Sequence, residues 1–179
     1  MMFIVGGTLL AILIGLIIGS ARRDRLQAAM VRVVQDRLSG RYTPGQLFVS
    51  PYGQSALGLS PDGGSVVVGT VQDDAAYAVA AILEIEGVRD GLVIRRVRRD
   101  DTDSPAAPSG GKGDVVRINT LDLRITVDDP VRPVWTVRFF DWPAGGVSPG
   151  NVAFQAAARD AERWFALLQQ AMAAGASKT

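Results

Sequence analysis

Residues 121–142 read LDLRITVDDPVRPVWTVRFFDW, and the reading of this stretch decides the fold class. Leu121, Leu123, Ile125 and Val127 alternate with Asp122, Arg124 and Thr126. A period of two with one apolar and one polar set is a half-buried strand with a wet face. Asp128-Asp129-Pro130 then begins a turn. Beyond it, Trp135, Val137 and Phe139 share one face while Thr136 and Arg138 take the other. Two strands joined by so short a connection pair antiparallel.

The same periodicity extends towards the N-terminus. Strands are expected over 46–50, 54–60, 65–71, 78–88, 91–98, 115–128 and 133–142. Ser60-Pro61-Asp62-Gly63-Gly64 separates the second from the third, and Arg89-Asp90-Gly91 the fourth from the fifth. These short connections favour an antiparallel meander. Residues 100–114, DDTDSPAAPSGGKGD, contain no large apolar residue, as expected of a mobile loop. After the last strand, Phe154, Ala157, Ala161, Trp164, Phe165, Leu168 and Met172 follow a helical period. Asn151 or Ser148 caps that helix and Gly175 ends it. Its adjacent aromatics need a sheet or barrel mouth to cover. Trp135 and Trp164 read as core, and Trp142, at a strand end beside Pro143, as core or as an exposed interface anchor.

The N-terminus has a different character. Met1 to Gly19 carry no charge, with Thr8 the one polar side chain, and Arg22, Arg23 and Arg25 follow. At about 1.5 Å per residue the run spans ~28 Å, close to a bilayer's hydrocarbon core. A signal peptide would have a positive n-region and a shorter apolar core. The expectation is therefore a single-pass helix over 1–20 in the inner membrane, with the N-terminus outside and the following domain cytoplasmic on the arginine side. Gly7, Ala11, Gly15 and Gly19 recur every fourth residue, the spacing that lets membrane helices pack closely. Residues 21–45 read as a basic juxtamembrane helix and linker. Leu26, Met30, Val33, Val34 and Leu38 fall near one face, and Arg22, Arg23, Arg25 and Arg32 lie either near anionic lipid headgroups or on a solvated face. The remainder, 46–179, is one domain.

Composition excludes much chemistry. The chain has 17 Arg and 2 Lys, a net charge of +1, no histidine and no cysteine. The commonest metal and haem ligands and the Ser-His-Asp and Cys-His nucleophile systems are thus missing, and no nucleic-acid footprint appears. Gly110-Gly111-Lys112-Gly113-Asp114 lacks Walker spacing. Ser55 lacks the second glycine of a nucleophile elbow. Asp100, Asp101 and Asp103 lack the glycine and distal glutamate of a calcium loop. No catalytic residue, cofactor or metal site is expected. Arg95, Arg96, Arg98 and Arg99 form a basic run at a strand end, read either as an electrostatic contact with membrane or an acidic partner, or as a solvated end neutralised by nearby aspartates.

Seven antiparallel strands followed by one amphipathic helix resemble the pleckstrin-homology-like superfold, a bent sheet pair closed at one end by the helix. LDLRITVDDPVRPVWTVRFFDW followed by AERWFALLQQAM is similar to bacterial membrane-anchored proteins of this shape, over residues 46–174. The resemblance implies binding or scaffolding more than catalysis. The first inter-strand loop, Pro51-Tyr52-Gly53-Gln54, lacks the positive charge that lipid-binding members carry there, which argues against specific phosphoinositide recognition. The functional expectation is a non-enzymatic accessory or scaffolding subunit of a larger membrane complex, partnered by other integral subunits or a second copy. The alternative is a membrane-anchored adaptor or sensor that homodimerises through its span and binds peptide or lipid.

Overall fold

The structure, a computed structural model, describes residues 25–99, 117–142 and 145–176. Helix α1 covers residues 25–41. Eight strands follow: β1 (Gln46–Val49), β2 (Ser55–Leu59), β3 (Ser65–Thr70), β4 (Asp74–Ala78), β5 (Ile82–Arg89), β6 (Leu92–Arg98), β7 (Thr120–Val127) and β8 (Val134–Asp141). Helix α2 (Val152–Ala176) ends the fold. All pairings are antiparallel. The strands form two four-stranded sheets, ordered β1-β2-β3-β4 and β6-β5-β7-β8.

This corrects the expected seven-stranded, PH-like barrel fold class in two respects. The segment read as one strand over 78–88 begins with a 3-10 turn at Val79–Ala81 and is strand only from Ile82, as β5. An eighth strand, β4, covers Asp74–Ala78, mostly ahead of it, where none was expected. The meander holds only in the first sheet. In the second, β7 returns beside β5 and leaves β6 at the edge. Among the described residues, no helix is long and apolar enough to cross a membrane. The 25-residue α2 carries Arg159, Asp160, Glu162 and Arg163 in its middle, and α1 carries Arg25, Arg32, Arg37 and Arg41. That finding corrects the single-pass, inner-membrane expectation. The run Met1–Gly19 with Gly7, Ala11, Gly15 and Gly19, together with Arg22 and Arg23 and the loop 100–114, lies outside the described residues.

The burial pattern follows from what covers each face. The first sheet is covered on both. Leu57, Leu59, Val66 and Val68 point to the main core, while Ala56 and Val67 on the opposite face meet Val34 and Leu38 of α1. Two-sided burial explains why all five residues of β2 are buried and why β3 reads SVVVGT without alternation. Close approach of α1 needs small residues below it. A Cβ on Gly69 would sit 3.1 Å from Leu38 Cδ2, and one on Gly53 only 2.7 Å from Met30 Cβ. Gly53 also has a φ of 67°, a region that favours glycine.

The second sheet has one dry and one wet face, so its strands alternate. Ile85, Leu123, Ile125 and Val137 face inward beneath α2, whose Trp164, Phe165 and Leu168 complete the core. Asn151 caps α2: its Oδ1 accepts from the backbone N–H of Ala153 and Phe154 at 3.0 and 3.1 Å. The sheets are stitched together by stacking of Phe48 on Phe139, ring centroids 4.2 Å apart. A hydrogen bond from the backbone N–H of Arg138 to Ser55 Oγ, 2.9 Å, joins them again. At a third place the Tyr77 hydroxyl accepts from Trp135 Nε1 at 3.0 Å and donates to Asp129 Oδ2 at 2.8 Å.

Candidate functional site

The basic run is pulled apart by strand geometry. Asp90 and Gly91 both have positive φ, as a tight two-residue hairpin requires. That turn pairs Arg89 with Leu92, and a bulge at Gly87/Val88 then shifts the register by one residue to set Glu84 opposite Arg98 and Glu86 opposite Arg96. Arg96 and Arg98 therefore face the wet side of the second sheet beside acids. Arg96 Nη2 reaches Glu86 Oε1 at 2.6 Å and its Nε reaches Glu84 Oε1 at 2.9 Å. Arg98 Nε meets Glu84 Oε2 at 3.0 Å, and Arg124 Nη1 meets Glu86 Oε2 at 3.0 Å. On the same face Arg138 holds Asp122 through two hydrogen bonds, 2.9 and 3.2 Å, and Asp141 through a third. Four arginines and four carboxylates balance across this ladder.

Glu86 is the buried centre of the ladder. Burial pushes its carboxyl up; the hydrogen bonds from Arg96 and with Glu84, and the charges of Arg96 and Arg124, outweigh burial and hold it below the ordinary 4.5. A carboxylate so held stays ionised and does not serve as a general acid at neutral pH.

The other two arginines of the run point elsewhere. Arg99 caps the carbonyls of Ala80 and Ile82. Arg95 lies on the inner face, its guanidinium 4.2 Å from the Phe165 ring centroid and 3.2 Å from Gln169 Oε1. Arg25 and Arg32 are exposed on α1 and make no ion pair among the described residues. Trp142 is 40% exposed and stacks at 6.1 Å on Phe140, which meets Phe154 edge-on. The candidate residues do not converge on one place.

Two recesses flank α2, and sequence reasoning missed both. The larger, about 780 Å³, lies between the C-terminal half of α2 and the end of the first sheet. Its walls are mostly small residues, among them Gly45, Gly63, Ala78, Ala171 and Ala174, over a floor of Leu59 and Val79. Asp62 is its one ionisable lining residue. The smaller, about 390 Å³, lies under the N-terminal half of α2 against β5, β6 and β7. The available sequence signal was weak: Gly87 in β5 and Ala158, Ala171 and Ala174 in α2 are small residues inside elements, whereas Gly45 and Gly63 read simply as turn residues.

Among the described residues, no group of His, Cys, Asp and Glu could hold a metal, and no buried side-chain polar atom lacks a hydrogen-bond partner. No protein-family model matches the chain, and neither a curated protein nor a solved structure matches it.

Proposed function

We propose that the chain is a non-enzymatic interaction module, an accessory or scaffolding subunit that holds a partner protein in the recess beside the C-terminal half of α2. The observation that carries this reading is the character of that recess. It is about 780 Å³ and half of its lining is glycine or alanine, beside Gln46, Leu167 and Gln170, so a partner's extended backbone can approach the floor closely along the small residues. The buried charges of the second sheet are spent on one another in the wet-face ladder, and among the described residues no acid and base stand poised together for chemistry. Kinship with PH-like proteins belongs to the same proposal. It rests on the order strand, Asp-rich turn, strand and Trp-bearing helix.

Native sizing of the full chain from its own cells tests the reading. One hetero-complex of fixed stoichiometry is expected, and Ala174→Arg, which places a long charged side chain in the recess, releases the chain from it. A lone chain or a homodimer, or a complex indifferent to Ala174→Arg, contradicts the reading.

A further inference from the structure

The geometry points to a second, separate site: the smaller recess binds an apolar carboxylate, with the alkyl chain under α2 and the carboxylate at Arg89. Three small residues make the space. Gly87 lies on the inner face of β5, paired with Leu123 and Arg95, in a row whose other side chains are large. Ala158 and Ala161 lie above it on α2. The glycine is not there to relieve a clash. A Cβ at position 87 would meet its nearest neighbours, Arg95 Cβ and Ile94 Cγ1, at 3.6 and 3.7 Å, ordinary contact. Its φ is not positive either. The missing side chain leaves a recess of about 390 Å³, inside the ~300–1,000 Å³ range of small-molecule sites.

The polar groups around the recess select the head group. Arg89 follows Gly87 on the same face and is half-buried, with no ion-pair or hydrogen-bond partner among the described residues. Nearly every other arginine of the second sheet is engaged, which makes this one distinctive. Arg95 stands beside it with its guanidinium plane on Phe165. Asp122 borders the recess, but its carboxylate is turned to the wet face and held by Arg138. Glu162 is exposed at the rim. Two guanidinium groups against one solvated glutamate favour an anion, and an arginine fork matches a carboxylate's two oxygens.

The full chain titrated calorimetrically with decanoate below its micelle concentration tests the inference, with decanol and acetate as the arms lacking charge and chain. Saturable one-to-one binding of decanoate is expected, with decanol and acetate at least tenfold weaker. Arg89→Gln brings decanoate to the level of decanol. Gly87→Leu fills the recess and abolishes binding while circular dichroism stays unchanged. If Gly87→Leu does not fold, Ala158→Met fills the space from the helix side and is read in its place. No saturable decanoate binding, equal binding of decanol, or full binding by the filled variants overturns the inference.

Discussion

At the scale of single residues, the hydroxyl of Tyr77 couples the sheets through two hydrogen bonds. It accepts from buried Trp135 and donates to Asp129, whose other oxygen accepts from the N–H groups of Val131 and Arg132. Tyr77→Phe leaves the indole N–H without a partner and is expected to cost about 1–2 kcal/mol, read as a lower denaturant midpoint at unchanged slope. Glu86 sets an acid limit. Its carboxyl is held below the ordinary value, so its contribution is full above the unfolded pKa and lost as pH falls through the lower folded one. The wild type is expected to lose thermal stability from about pH 4.5 downward. Glu86→Gln is expected to cost about 1–2 kcal/mol at neutral pH, between an exposed and a fully buried pair, and to flatten that acid slope. A slope as steep in Glu86→Gln as in the wild type would remove Glu86 from this role.

The ladder was partly legible at this scale. Two arginines spaced by two, at 96 and 98, stand across an Asp-Gly hairpin from two glutamates spaced by two, at 84 and 86. Counting outward from the turn sets Glu86 against Arg95 and Glu84 against Val97. A one-residue bulge at Gly87/Val88 shifts the register to the observed Glu86–Arg96 and Glu84–Arg98 pairs, and nothing local in the sequence announces that bulge. Read along the chain, the run's nearest acids are Asp100, Asp101 and Asp103, because adjacency in sequence hides adjacency across a ladder.

Among elements, β7 and β8 declare themselves because one face of the second sheet meets water and the alternation survives. The first sheet loses that signature under α1, and β2 and β3 read as plain apolar runs. β4, DAAYA, is nearly silent. It has one strong strand former, Tyr77, and exists by pairing with β3. The return of β7 to β5 was not legible at all, since nothing local to either strand names its partner. α1 is held by a small cluster, Val34 and Leu38 on Ala56 and Val67, with Leu26, Met30 and Val33 left exposed. Leu38→Ala is expected to cost about 2–4 kcal/mol. The loss is expected to be local, with faster amide exchange over 25–41 and little change in β5 and β7. Gly53→Val, with its Cβ driven into Met30, is expected to give the same pattern.

Across the whole molecule, α2 joins the layers: it covers the inner face of the second sheet, and its C-terminal half reaches the end of the first. The main core holds β5, β7, β8 and α2 together, whereas α1 is an outer layer on a separate cluster. Native-state hydrogen exchange should therefore show α1 opening at lower free energy than β5 and β7. Uniform protection across all three would mean a single cooperative unit. The two recesses open on opposite halves of α2.

The recess beside Ala174 is the place where a partner is expected to sit. A photo-crosslinking amino acid placed there in the full chain, in its own cells, probes it most directly, with Thr136 on the wet face as the control position. A discrete adduct with one protein from position 174, and none from 136, is the expected result. No adduct from 174, or the same adducts from both positions, would contradict it.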